Sequence, residues 1–432
     1  MADFIAVPPA RGVRGTVAAP PSKSATNRAF VLAALSDTPV EIESPLKSAD
    51  TNALLRCLAA MGAVFQATPR GLSGHGPLRA TAGREVVLDA GESGTAARFL
   101  TALAAATPGD FVVTGARRLR ERPVGELVAA LASLGAGIEP DRESGGFPLR
   151  IHGGRLRAGR VAVDASRSSQ FFSALLLAAP AVAGGLEVSA FSGVASAPYV
   201  GTTLESLRAF GHEVTGALGE GGSIRVARGP SSVERYAVAG DYSSAIPLLA
   251  SAGAAGGEVT VTGLAWPSAD ADAGALSVLE RIGMKIAPRA GEISARRSGP
   301  LHPAEVTATD FPDSVPVLAA LAALAAGESR FDGIGHLRIK ESDRIASLAS
   351  ILSAAGAQAE ARDNSLVVKG PASARPGGGT IRLPTFGDHR IAMAGALLSF
   401  ALPGLLVENP GCVAKSYPGF FRDLEKLAVR EP

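Results

Sequence analysis

Leu337-Arg338-Ile339-Lys340-Glu341-Ser342-Asp343-Arg344 stands directly before a run in which Ile345, Leu348, Ile351 and Leu352 recur at helical spacing and Gly356 closes the pattern. Ser342 or Asp343 is predicted to cap this helix, so Lys340 and Glu341 lie just ahead of it and Arg344 falls in its first turn. A helix start already carries partial positive charge, which disfavours a cation there. Lys340 and Arg344 together make sense if an anion occupies the helix N-terminus. Glu341, held between them, is a carboxylate able to move a proton. A solvated, salt-bridged helix start explains the octapeptide equally well, and the rest of the chain decides between the two.

Working outward, the same construction recurs. A polar anchor followed by an Ala/Leu-rich helical run occurs at Ser24, Ser93, Ser169, Ser243, Ser314 and Asp388, with spacings of 69, 76, 74, 71 and 74 residues. After most anchors come an apolar helix, a glycine turn and an alternating strand, such as Phe111-Val112-Val113 or Glu258-Val259-Thr260-Val261. A polar loop and a second helix follow, and stretches 131–136, 207–211, 279–283 and 352–357 share a leucine-to-glycine ending. Each unit reads as strand–helix–strand–strand–helix–strand, a small α/β module with a period too long for a common solenoid. Equivalent geometry in all six would let the helix starts face a common centre and bind a polyanion through backbone amides. Capping alone explains the serines and the aspartate, but not the cations beside them.

Composition narrows the class. At 432 residues the chain has material for two or three domains, and a net charge of +2 with 19% charged residues implies no polyanionic partner such as nucleic acid. Cys57 and Cys412 are the only cysteines, which excludes a disulfide framework and a cysteine zinc cluster and fits a reducing cytoplasm. No signal peptide is expected. The apolar stretch 315–326 is too short to span a bilayer, and 391–407 is interrupted by Ser399 and Pro403, so no membrane partner is expected. The six histidines lack metal-ligand spacing, and no metal is expected.

The anchors differ in the chemistry around them. Pro21-Ser22-Lys23-Ser24-Ala25-Thr26-Asn27-Arg28 puts Lys23 and Arg28 on either side of a helix start. It lacks the glycines of a phosphate-binding P-loop, and Gly411-Cys412-Val413-Ala414-Lys415-Ser416 has Ala414 where that loop needs glycine, so neither is read as a nucleotide site. Gly91 and Gly94 flank Ser93 and permit close backbone approach to a ligand. Among Arg117, Arg118, Arg120 and Arg122, the last precedes Pro123 and a helix, and is the one expected to be fixed. Ser168, Ser169 and Gln170 offer several donors at the third helix start. Asp241-Tyr242-Ser243-Ser244 has no adjacent cation and reads as structural, as does His389. Asp313 is a cap or a general base, and Arg390 again sits in a first helical turn.

These motifs resemble the 5-enolpyruvylshikimate-3-phosphate synthase (3-phosphoshikimate 1-carboxyvinyltransferase) family. The resemblance rests on Pro21-Ser22-Lys23-Ser24, Gly94-Thr95-Ala96, Glu121-Arg122-Pro123, Ser168-Ser169-Gln170, Pro312-Asp313, Lys340-Glu341-Ser342-Asp343-Arg344, Asp388-His389-Arg390 and Lys415-Ser416-Tyr417-Pro418, in family order across nearly the whole chain. It implies an α/β fold: the two-domain inside-out α/β barrel of enolpyruvyl transferases, with six βαββαβ repeats. The domains would be 1–20 with 237–432, and 21–236, with the active site in the cleft between them. The implied reaction moves the enolpyruvyl group of phosphoenolpyruvate to the 5-hydroxyl of shikimate 3-phosphate, for chorismate and aromatic amino acid synthesis, with no cofactor. A cytoplasmic monomer is expected.

By position, the resemblance assigns Lys23, Ser24, Arg28, Ser168, Ser169, Gln170, Ser196, Asp313 and Lys340 to shikimate 3-phosphate. It assigns Lys23, Gly94, Arg122, Gln170, Arg344, Arg390 and Lys415 to phosphoenolpyruvate. Asp313 would take the proton of the 5-hydroxyl, and Glu341 with Lys23 would protonate the methylene carbon to give a tetrahedral intermediate. Three positions depart from the family pattern: Glu92 and His336 stand where asparagine is frequent, and Phe99 where proline is common. They bear on affinity and on the response to glyphosate more than on the reaction. The alternative, UDP-N-acetylglucosamine enolpyruvyl transferase, typically uses a cysteine in the loop corresponding to 117–122, and none is present there. A non-catalytic anion-binding repeat protein would have little reason to keep Asp313 and Glu341 beside the cations.

Overall fold

Strand Gly159–Val163, helix Ser169–Ala178, strand Leu186–Ala190, helix Pro198–Ala209 and the strands Val214–Gly216 and Ser223–Val226 make up one repeat. The first two strands lie parallel, as a helical crossover between them requires, and the last two are antiparallel. In the sheet the fourth strand lies between the second and the third. A computed structural model describes residues 4–429 of the chain except 8–9, 80–82, 142, 144, 220, 230 and 374–378. Among these residues the same spatial order occurs in five four-stranded sheets. In the sixth sheet, Phe4–Ala6 from the start of the chain pairs antiparallel with Leu405–Glu408 and takes the fourth-strand place.

The order within a repeat is therefore strand–helix–strand–helix–strand–strand. This corrects the βαββαβ order expected from sequence: one strand, not two, separates the helices. After the strand Gly109–Thr114, for example, the chain runs through the short helix Arg117–Arg120 into the helix Gly125–Ser133, and the antiparallel pair comes only afterwards. Glycine turns and alternating residues mark both kinds of strand connection, so periodicity alone does not show on which side of a helix the antiparallel pair lies.

The chain divides into two compact units, Met1–Pro20 with Ala239–Pro432, and Pro21–Val238. Each crossing of the chain leaves a strand that completes a sheet. Val13–Ala18 pairs parallel with Gly257–Leu264 in the first unit, and Arg235–Ala237 pairs parallel with Val40–Glu43 in the second. Ala237 is paired with Glu43, so the second unit extends past residue 236, where the sequence reading ended that domain.

Each unit is built around the first helices of its three repeats. In the second unit these are Lys23–Ala34, Gly94–Ala106 and Ser169–Ala178; in the first, Tyr242–Ala255, Val315–Ala322 and His389–Ala401. Beyond their opening turns they are apolar on every side and almost wholly buried, as a helix enclosed by other elements must be. Phe30, Leu32, Phe99, Leu103, Phe171 and Leu175 are at most 2% exposed, each contributing about 1.5–3 kcal/mol by burial. The polar anchors thus mark where six buried helices begin. No helix among the described residues is long and apolar enough to cross a membrane.

Candidate active site

In the second unit the candidate residues gather at the starts of the three inner helices. Ser22 caps the first, its Oγ accepting from the Ala25 amide at 3.2 Å. Lys23, the first helical residue, places Nζ 3.0 Å from Oδ2 of Asp50, a residue 4% exposed in the first turn of helix Ala49–Ala60. A carboxylate thereby offsets a cation that the helix dipole disfavours. Arg28, one turn further on, is 2% exposed. Its Nε donates to Thr203 Oγ1 at 2.8 Å, its Nη1 to the Ser24 carbonyl at 2.9 Å and its Nη2 to the Tyr199 carbonyl at 3.0 Å. Thr203 in turn donates to Ser173 at 2.8 Å, which ties the helix Ser169–Ala178 into the group. Ser196, just ahead of the helix Pro198–Ala209, is buried with a φ of 56°, in the left-handed region that serine rarely adopts.

Gly94, Arg122 and Gln170 form a second group. Ser93 caps the helix Gly94–Ala106, accepting from Ala96 N at 3.3 Å. The Arg122 guanidinium lies against that helix start: a Cβ on Gly94 would meet its Cζ and Nη1 at 2.6 Å. Arg122 is 6% exposed, whereas the Arg117 side chain is 95% exposed, so one arginine of that loop is fixed and another is solvated. Ser168 caps the helix that begins at Ser169, and Ser169 itself is buried. The Gln170 amide donates to Thr95 Oγ1 at 3.0 Å and accepts from Arg98 Nη1 at 2.5 Å; Arg98 also donates to the Pro123 carbonyl at 2.7 Å, next to Arg122. A cavity of about 800 Å³ opens beside Arg122, with Glu126, Asp164, Arg167 and Phe191 in its wall.

The first unit holds a denser cluster. Asp343 caps the helix Arg344–Ala354, accepting from Ala346 N at 3.1 Å, while Ser342 donates instead to Asp388 Oδ2 at 3.2 Å. Arg344 is the first helical residue and is buried among three carboxylates. Its Nε lies 2.8 Å from Asp388 Oδ2, its Nη1 2.7 Å from Asp313 Oδ1 and its Nη2 3.0 Å from Glu341 Oε2. The cation at the helix start is therefore compensated from within the protein. Arg390 donates to the Ser243 carbonyl at 2.8 Å, to Ser243 Oγ at 2.5 Å and to Asp313 Oδ2 at 3.1 Å. Lys415, on the 3₁₀ helix Pro410–Lys415, places Nζ 3.5 Å from Glu341 Oε1.

Burial alone would raise the pKa of Asp313, but Arg390, Arg344 and Lys340 outweigh it and hold the carboxyl well below the usual range. Burial depresses His336 to about 3, with Lys340 and Arg344 adding to the effect, so its imidazole is neutral at pH 7. The cluster thus holds two carboxylates, Asp313 and Glu341, in direct contact with Arg344, Arg390 and Lys415. Among the described residues no group of three or more His, Cys, Asp and Glu is placed to hold a metal.

Sequence reasoning missed several partners. Ser243 was read as structural, yet it holds Arg390. Asp50, Thr95, Arg98 and Asp388 were not among the candidates, although each contacts one. A signal for Arg98 was available: a lone cation inside an otherwise apolar helical run has to find a partner.

The profile of EPSP synthase (3-phosphoshikimate 1-carboxyvinyltransferase) matches residues 7–424. The chain is 41% identical to the 3-phosphoshikimate 1-carboxyvinyltransferase of Thermococcus kodakarensis over 422 residues, 97% of this chain and 98% of the relative. It is 37% identical to that of Syntrophobacter fumaroxidans over 423 residues, 98% and 99% of the two chains. Among solved structures, EPSP synthase from Acinetobacter baumannii superposes with a TM-score of 0.79 at 25% identity, covering 98% of both chains. The enolpyruvyl transferase NikO from Streptomyces tendae shares the fold, with a TM-score of 0.76 at 21% identity over 96% of this chain and 95% of its own. The chain belongs to the EPSP synthase (3-phosphoshikimate 1-carboxyvinyltransferase) family.

Proposed function

We propose that the chain transfers the enolpyruvyl group of phosphoenolpyruvate to the 5-hydroxyl of shikimate 3-phosphate, releasing phosphate. One observation carries the mechanism: Asp313 and Glu341 share the Arg344 guanidinium, so two carboxylates with proton work to do are fixed on a single anion-binding group. Asp313 accepts the proton of the attacking hydroxyl as its oxygen bonds to C2 of phosphoenolpyruvate. Glu341, with Lys23, delivers a proton to C3, giving a tetrahedral intermediate. Loss of a proton from that methyl carbon and departure of phosphate from C2 restore the double bond.

On this reading Lys23, Gly94, Arg122, Gln170, Arg344, Arg390 and Lys415 bind phosphoenolpyruvate. Lys23, Ser24, Arg28, Ser168, Ser169, Gln170, Ser196, Asp313 and Lys340 bind shikimate 3-phosphate. The buried guanidinium groups favour phosphate and carboxylate through paired, charge-assisted hydrogen bonds. The enzyme acts as a cytoplasmic monomer without a cofactor. A phosphate-release assay with phosphoenolpyruvate and shikimate 3-phosphate, with the product identified by mass spectrometry, tests the reading. Turnover with that acceptor and none with UDP-N-acetylglucosamine is expected; the reverse result would discard the assignment.

A further inference from the structure

The Arg28 guanidinium lies over the Phe99 ring, with Cζ 5.5 Å from the ring centroid. A planar guanidinium donates hydrogen bonds within its plane and offers its face to an aromatic ring. At Arg28 the three in-plane acceptors come from Ser24, Tyr199 and Thr203, on helices Lys23–Ala34 and Pro198–Ala209. The ring comes from a third helix, Gly94–Ala106. Arg28 is 2% exposed and Phe99 fully buried, so water does not screen the attraction between cation and ring.

The neighbouring residue makes a matching arrangement toward another helix. Arg98 places Cζ 5.1 Å from the centroid of the Phe171 ring and donates to Gln170. Consecutive helical residues point about 100° apart. One helix thus steadies Arg28 with its residue 99 and Gln170 with its residue 98. We infer that Phe99 is a positioning residue: its ring holds the Arg28 guanidinium in the orientation that receives the phosphate-bearing substrate. It acts only through Arg28 and leaves the group formed by Gly94, Arg122 and Gln170 in place. The inference rests on the assignment of Arg28 to shikimate 3-phosphate.

Phe99→Leu keeps an apolar side chain and removes the ring's quadrupole, whereas Phe99→Tyr keeps the ring. The full-length parent and both variants are compared by calorimetric titration with shikimate 3-phosphate, by steady-state kinetics and by thermal unfolding. Phe99→Leu is expected to weaken shikimate 3-phosphate binding about tenfold. Its kcat should stay within about threefold of the parent and its KM for phosphoenolpyruvate should not change. Phe99→Tyr should bind like the parent. A merely structural role would instead weaken both substrates alike and lower the melting temperature in step. That pattern, parent-like binding by Phe99→Leu, or a Phe99→Tyr variant as weak as Phe99→Leu would overturn the inference. If Phe99→Leu does not fold, Phe99→Met is read by the same criteria. A parent that binds and turns over shikimate 3-phosphate while Phe99→Leu matches it removes only the role of Phe99. A parent that does neither removes the functional reading, and this inference with it.

Discussion

Asp313 and Arg344 form an ion pair of 2.7 Å in which the arginine side chain is 1% exposed and the aspartate 23%. Because Arg390, Arg344 and Lys340 together outweigh burial and depress the Asp313 pKa, the carboxylate so held is a poor base. Anionic substrates would give those cations other partners and let the Asp313 pKa rise toward the ordinary carboxylate range. Carbon-13 NMR of labelled aspartate, with Asp313→Asn for assignment, should show a higher pKa in the complex; no change on ligand binding would contradict the charge exchange. The sign for stability follows from the same depression. A folded-state pKa below the unfolded value means that ionised Asp313 stabilises the fold above about pH 4, and that this stabilisation is lost as pH falls through the depressed pKa. The stability gap between parent and Asp313→Asn, from denaturant titrations, should therefore narrow on acidification below about pH 4.

Glu341 lies 3.0 Å from Arg344 and 3.5 Å from Lys415; Glu341→Gln keeps the size and one acceptor oxygen but removes the charge, and proton transfer with it. Its kcat should fall about 100- to 10,000-fold. Binding of both substrates should change far less. Steady-state kinetics alongside calorimetric binding separates the two effects, and near-normal turnover would remove Glu341 from the mechanism.

The Gly94 position meets protein before it meets any ligand. A Cβ there would lie 2.6 Å from Arg122 Cζ and Nη1 and 2.8 Å from Nη2, so Gly94→Ala must push the guanidinium aside. Glyphosate, expected from the family resemblance to compete with phosphoenolpyruvate, should then lose affinity together with the substrate. If Arg122 mediates the effect, Gly94→Ala and Arg122→Ala will be strongly non-additive in a double-mutant cycle of inhibition constants. Additive effects would show that the alanine methyl acts on the inhibitor directly.

Asp388 is fully buried and accepts from Arg344 twice, at 2.8 and 3.3 Å, from Ser342 at 3.2 Å and from the Arg390 amide at 2.9 Å. Asn is as good a helix cap as Asp, so Asp388→Asn removes the counter-charge while keeping the cap. Breaking a buried pair on one side typically costs about 3–5 kcal/mol. Denaturant unfolding should show a loss of that order. A loss below about 1 kcal/mol would mean that Asp313 and Glu341 suffice to compensate Arg344.

What the sequence revealed and what it hid differ in range along the chain. The cap at Asp343, the first-turn place of Arg344 and the six helix starts depend on neighbours a few residues away, and local patterns carry them. Apart from Glu341, three residues from Arg344, the partners that neutralise the cations are distant. Arg344 draws Asp313 from 31 residues away and Asp388 from 44, while Arg390 reaches Ser243 across 147 and Arg28 reaches Thr203 across 175. Nothing in a periodicity count indicates such pairings. Arg344 was for this reason read as a cation awaiting an anion, when three carboxylates already surround it. The order of strands inside a repeat was lost likewise, since sheet neighbours are set by pairing across the unit.

Along five of the six inner helices, polar chemistry and packing occupy different segments. Lys23 to Arg28, Gly94 to Arg98, Ser169 to Ser173, Tyr242 to Ser244 and His389 with Arg390 crowd the opening turns, while the remainder is Ala, Leu, Phe and Val with few exceptions. Thr101, Ser251 and Ser399, further along, satisfy their hydroxyls on their own helix, at the carbonyls of Ala97, Leu248 and Gly395. Descent with changed ligand preference could therefore proceed by rewriting a handful of opening residues in each repeat while the inherited interior carries the fold unchanged. Such a scaffold is tolerant of innovation at the tips of its helices and conservative along their shafts.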